Sequence, residues 1–119
     1  MHEMALVRNI LDVVLDVAEQ EHASRIESVT LRIGKGRDVV IDLFSGLFDH
    51  LAKGTAAEGA ELVYELVPMV TRCKDCGTFY QLNVHDESTW PCPKCNGGNY
   101  ELYSGMKFSI ENVKVVGIT

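Results

Sequence analysis

The chain of 119 residues lacks the features that mark several common protein classes. No apolar run approaches the roughly 18 residues of a membrane-spanning helix, so membrane insertion is not expected. No block of lysine and arginine is present. Eleven basic residues stand against 17 acidic ones, for a formal net charge of −6, and a phosphate backbone would be repelled by that average. The acidity reads as mild, spread out and serving solubility. The opening MHEMALVRNI has neither the positive charge nor the apolar core of a secretion signal, so a cytoplasmic setting is expected. KGTAAEG lacks the lysine and hydroxyl placement of a phosphate-binding loop. No Ser-His-Asp set or paired-carboxylate signature stands out, so the expectation is a protein that is not an enzyme.

What is present is a packed domain with an interruption. From Met4 to about residue 20, Val7, Ile10, Leu11, Val14 and Val17 or Ala18 recur at helical spacing, with Met4 read as core. Residues 25–33 alternate, with Val29, Leu31 and Ile33 on one side, and Gly34 and Gly36 end that strand. A second helix is expected over about 38–53, burying Val40, Phe44, Leu47, Phe48 and Leu51, with Gly54 as its C-terminal cap. Residues 60–67 form another strand, closed by Pro68. The strand pattern returns from about 104, with Met106, Phe108 and Ile110, then Val113 and Val115. The phase slips near Asn112, which suggests a bulge. The fold class that follows is α+β: two helices packed on a small three-stranded mixed sheet, with residues 25–67 as a right-handed crossover. Residues 1–70 and 103–119 would make this base. Residues 71–102 would be an inserted module, seated between two strands like an enlarged hairpin.

That module reads CKDCGTFYQLNVHDESTWPCPKC. Cys73 and Cys76, then Cys92 and Cys95 after fifteen residues, form two C-x-x-C turns, each aiming two thiolates at one point. Four thiolates at about 2.3 Å make a closed tetrahedral zinc site. In a reducing compartment, metal is a better reading than disulfides. CGTFY and PCPKC also resemble rubredoxin, in which the same turns hold iron, but Phe79, Tyr80 and Trp90 make a sparser aromatic cluster than rubredoxins carry, so zinc is preferred. A module of this size cannot bury enough apolar surface to fold alone, so the zinc is structural. Zinc ribbons also bind nucleic acid; here Arg72, Lys74 and Lys94 are answered by Asp75, Asp86, Glu87 and Glu101, which weakens that reading. The rivals are a rubredoxin-like iron electron carrier and a zinc-ribbon interaction scaffold.

The opening Met1-His2-Glu3 carries a second chemistry. A free α-amine, the amide of residue 2 and the Nδ1 of a histidine there close two fused chelate rings. Such strong-field nitrogen donors suit square-planar Ni(II) or Cu(II) and do not suit tetrahedral Zn(II). The start of a helix lowers the proton affinity of the amine. Glu3 adds a negative charge and a further amide as a fourth donor.

MHEMALV, SVTLRIG, LAKGTAAEGAELVYELVP and the four-cysteine insertion, in that order, resemble the HypA/HybF family of nickel metallochaperones for [NiFe] hydrogenase maturation. The resemblance spans essentially the whole chain. It implies transfer of Ni(II) bound at Met1, His2 and Glu3, and structural Zn(II) at Cys73, Cys76, Cys92 and Cys95. It also implies two partners: a HypB-type maturation GTPase and the [NiFe] hydrogenase large-subunit precursor. Some members place a histidine directly beside each C-x-x-C; here Gly77 and Asn96 stand there. Some have a nickel-supporting acid near the start of the second helix; here Val40 lies at about that point, between Asp38 and Asp42. His85, in the module's loop, is read as solvent-exposed, with an auxiliary nickel contact as the rival reading. His22 and His50 are read as facing solvent or capping a helix end.

Overall fold

A computed structural model describes residues 3–118. Helix α1 (Glu3–Gln20) is followed by β1 (Arg25–Gly34), a 3-10 turn (Lys35–Arg37), α2 (Ile41–Ala52) and β2 (Glu61–Val67). Then come β3 (Val70–Cys73), β4 (Phe79–Gln81), a 3-10 turn (Glu87–Thr89), β5 (Tyr100–Ser104) and β6 (Phe108–Val116). The strands make two sheets, ordered β2-β1-β6 and β4-β3-β5. The two helices and a small three-stranded mixed sheet are the α+β base expected from the pattern. One expectation changes. β2 and β6, which bracket the insertion, are not neighbours, because β1 lies between them; the insertion is therefore not an enlarged hairpin.

Among the described residues, the contacts divide the chain into two compact units. The second comprises Arg32–Asp38 and Leu66–Phe108, and the first holds the rest. The core of the first unit is conventional. α1 buries Val7, Ile10, Leu11, Val14 and Ala18 at helical spacing, α2 buries Phe44, Phe48 and Ala52, and Ile26, Val29 and Leu31 of β1 are fully buried. Tyr64 of β2 meets Phe44 edge-on at 6.3 Å, and its hydroxyl lies 2.6 Å from Ser45 Oγ. Burial pushes the Tyr64 phenol up; the Ser45 hydrogen bond opposes this, and Asp49 and Asp42 add to it.

Helix ends follow local chemistry. α1 closes in a Schellman motif, the Ala23 N–H donating to the Ala18 carbonyl (2.9 Å) and the His22 N–H to the Glu19 carbonyl (3.1 Å). His22 therefore takes the left-handed position, at φ 54°, that glycine usually fills. Gly54 does not cap α2 as expected: the helix ends at Ala52, and Lys53 (φ −56°, ψ 132°) and Gly54 (φ +78°) form a type II turn. In it the Thr55 N–H donates to the Ala52 carbonyl (3.0 Å), while the Gly54 N–H donates to Glu58 Oε1 (2.8 Å). α2 itself starts at Ile41, three residues later than periodicity suggested, so Val40 precedes the helix and is half exposed.

Met4 is also a correction. It is 41% exposed, and the buried stripe of α1 begins instead at Glu3, four residues before Val7. The phase slip in β6 coincides with two successive exposed residues, Glu111 and Asn112.

Candidate metal centre

In the second unit β3 is the central strand. It pairs antiparallel with β4 (Thr71 opposite Tyr80, Arg72 opposite Phe79) and with β5 (Arg72 opposite Glu101, Cys73 opposite Tyr100). The β3–β4 turn is the first C-x-x-C. The Gly77 N–H donates to the Cys73 carbonyl (2.9 Å), and the Cys73 N–H donates to the Thr78 carbonyl (2.9 Å). The second turn repeats the device. The Asn96 N–H donates to the Cys92 carbonyl (2.8 Å), and the Lys94 N–H reaches Cys92 Sγ at 3.4 Å. Both turns need a left-handed residue directly after the second cysteine, and Gly77 (φ +78°) and Asn96 (φ 61°) supply it. Gly77 and Asn96, which follow the two cysteine pairs, thus have a backbone task of their own.

The result is four sulfurs within 4.8 Å of one another, with Cys73–Cys95 and Cys76–Cys92 at 3.5 Å. A tetrahedron with metal–sulfur bonds of about 2.3 Å needs sulfurs about 3.8 Å apart, so the set fits one ion with little movement. Asp75 and Gly97 bring the turns close. A Cβ on Gly97 would sit 2.7 Å from Asp75 Oδ2 and 3.2 Å from Cys95 Sγ, so a larger residue there would push the Asp75 carboxylate or the Cys95 thiol aside. Cys73 and Cys92 are buried, whereas Cys76 and Cys95 face solvent.

Without an ion the thiols do not titrate alike. The Thr78 hydroxyl and then its backbone hold Cys76 at about 6. The Gly97 N–H favours the Cys95 thiolate, but Cys73, desolvation and the other two thiols outweigh it and push Cys95 up to about 12. Four like charges cannot share this volume; a divalent cation removes the conflict.

The surroundings are thin. The buried cluster here is Cys73, Tyr80, Leu82 and Cys92, with Met69 and Val84 against it, so half of its buried members are metal-ligating candidates. The loop between the pairs is held by polar bonds: Tyr80 Oη donates to the Trp90 carbonyl (2.9 Å), Trp90 Nε1 to the Asn83 carbonyl (2.9 Å), and the Asn83 N–H to Thr89 Oγ1 (2.8 Å). His85 is exposed, as expected, and its Nε2 lies 2.9 Å from Asp38 Oδ1. It is not one of the clustered ligands. His50 and His22 are exposed.

The expected nickel ligands Met1 and His2 lie outside the described residues. Glu3 is described: only 4% of it is exposed, and its buried Oε2 accepts no hydrogen bond among the described residues. The contribution of Thr78 was not foreseen; a hydroxyl two residues after a cysteine pair is the signal that points to it.

Known proteins give the same picture. Residues 1–115 match the family model described as hydrogenase/urease nickel incorporation, metallochaperone, hypA. A hydrogenase maturation factor HypA of Dehalococcoides mccartyi (strain ATCC BAA-2266 / KCTC 15142 / 195) is 35% identical over 115 residues, covering 97% of this chain and 94% of the relative. The HypA of Pyrococcus furiosus is 32% identical, covering 97% and 96%. The solution structure of the Ni metallochaperone HypA from Helicobacter pylori shares the fold, with TM-score 0.63 at 21% identity and 98% of each chain covered. No helix among the described residues is long and apolar enough to cross a membrane. A whole-length family match and relatives above 30% identity agree with the fold and the four-thiol cluster: the chain belongs to the HypA family of nickel-incorporation metallochaperones.

Proposed function

We propose that this chain binds Ni(II) through Met1, His2 and Glu3 and hands it on during [NiFe] hydrogenase maturation, while Cys73, Cys76, Cys92 and Cys95 hold a structural Zn(II). The observation that carries the nickel reading is Glu3. A carboxylate fills the first position of a buried helical stripe, where packing calls for an apolar side chain, and one of its oxygens is buried with no partner among the described residues. Burying an unsatisfied carboxylate oxygen is costly. The helix start beside it favours negative charge, and a bound divalent cation with its donor amides would offset the rest.

In this reading the Met1 amine, the His2 amide and the His2 Nδ1 form adjacent chelate rings, and the Glu3 amide is the fourth donor. Square-planar nitrogen donors select Ni(II) over Zn(II). A recipient's ligands displace them one at a time. The handover partners are a HypB-type GTPase and the hydrogenase large-subunit precursor. The names of the relatives support hydrogenase, and the family description adds urease to the class of recipients. The protein acts as a maturation factor and does not itself turn over substrate. The reading also places the protein in the cytoplasm, where the thiols stay reduced and able to hold zinc.

The test is calorimetric nickel titration, near neutral pH, of three proteins side by side. These are the native protein with an untagged amino terminus, one extended by a residue before Met1, and His2→Ala. Extension converts the amine into an amide. Both altered proteins should lose nickel, keep one zinc per chain and keep their melting temperature without nickel. Unchanged nickel affinity in the extended protein would sink the amino-terminal site. Metal analysis of the same samples separates zinc from the iron of a rubredoxin-like carrier.

A further inference from the structure

One helix face carries a residue that its own fold does not explain. In α2 the exposed arc runs through Asp42, Leu43, Gly46, Asp49 and His50 and on to Lys53, and Gly46 lies at its middle. Glycine weakens a helix interior relative to alanine. A Cβ at Gly46 would meet no atom within 4 Å, and its φ is not left-handed. Neither crowding nor backbone conformation therefore calls for glycine. Beside it Leu43 is 48% exposed, and Val40, just before the helix, is 50% exposed. Toward its C-terminal end the same face opens into a cleft of about 590 Å³ lined by Asp49, Lys53, Glu58, Gly59 and Ala60.

We propose that this face is a docking surface for an amphipathic helix of a partner protein that carries lysine or arginine and crosses α2 at Gly46. A bare Cα lets a second backbone approach more closely than any side chain would. Leu43 and Val40 give the crossing an apolar contact. Asp42, Asp49 and Glu58, against the single ammonium of Lys53, supply the complement for basic side chains. The whole first unit has twelve acidic and four basic residues, a formal charge of −8. That field attracts a basic helix and repels both an acidic one and a second copy presenting the same face. The inference deepens the delivery reading and rests on it for its purpose, since a carrier must seat the protein it exchanges metal with. The docking is nevertheless measurable without nickel.

The experiment places a photo-crosslinking benzoylphenylalanine at Leu43 of the full chain, in cells that assemble nickel enzymes, and sequences the linked peptide by mass spectrometry. The expected product is a helical peptide bearing lysine or arginine. Its yield should fall roughly tenfold or more when Gly46→Leu or Asp49→Lys is added, as for residues at the centre of an interface. Gly46→Leu raises helix propensity, so circular dichroism and bound metal should stay native. Four outcomes would overturn the proposal: no cross-link, a cross-link to a second copy, an acidic linked peptide, or an undiminished yield in Gly46→Leu. Nickel titration of the same proteins is read separately. A native chain that takes up no nickel defeats the delivery reading without touching the cross-linking result.

Discussion

The two units are held together by different physics. The first buries a continuous set of aliphatic and aromatic side chains, with Val7, Val14, Ile26, Val29, Leu31, Phe44 and Phe48 fully inaccessible, and it is strongly acidic. The second has a buried cluster of four residues, two of them cysteines, and seven basic against five acidic residues, a formal charge of +2. The first unit is stabilised by hydrophobic burial and needs no ligand. The second lacks the apolar area to offset chain entropy, and a metal–thiolate centre takes the place of a core. The split also corrects the view of the acidity as spread out, because the net negative charge resides entirely in the first unit.

The comparison can be broken most directly at Cys92. Cys92→Ala should remove stoichiometric metal and abolish the protected amides of the second unit while those of α1 and α2 persist. Metal analysis with amide exchange decides it, and retained metal with a protected module would contradict the account. A second test removes the ion chemically. Thiolates must be deprotonated to bind, so metal affinity should fall as pH falls, and acid or a chelator should empty the site. In the stripped, reduced protein we expect all four thiols to be alkylated at similar rates near pH 7.5, because the unit has unfolded. An ordered reaction would show the stripped unit still folded: Cys76, held at about 6, would react first as thiolate, and Cys95, at about 12, last.

The first unit should respond to packing alone. Phe48→Ala, at a fully buried site, is expected to cost about 3–5 kcal/mol in urea denaturation while one metal ion per chain remains bound. The smallest effect is a gain. Gly46→Ala should stabilise the first unit by about 0.5–1 kcal/mol, read as a rise in its melting temperature, and leave the second unit unchanged. A loss of stability there would mean that the glycine does have an internal role.

Much of this was legible in the residues. The cysteine spacing gave the cluster, and periodicity gave α1, β1, α2 and β2, because each buries one face against a core. β5 was not legible. Tyr100–Ser104 has four exposed residues and one partly buried, so it carries no alternation; its strand conformation comes from pairing with β3. The burial of Glu3 escaped for a related reason, since a hydrophobic pattern assigns buried positions to apolar residues and passes over an acid that occupies one. The Val40 reading failed because its side chain lies just before the helix, outside the stripe it seemed to extend.

The alternation of exposure among the four cysteines has a consequence for traffic at the centre. Each turn contributes one sulfur rooted in the interior, Cys73 or Cys92, and one on the surface, Cys76 or Cys95. A competing chelator or an oxidant arriving from solvent meets one ligand of each pair first, so the ion should leave by shedding its two outer bonds. While the inner pair still holds the ion, the outer bonds can close again before it leaves. Ligand exchange thus has one doorway, and a substitution of Cys76 or Cys95 should speed metal exchange more than it alters the final fold.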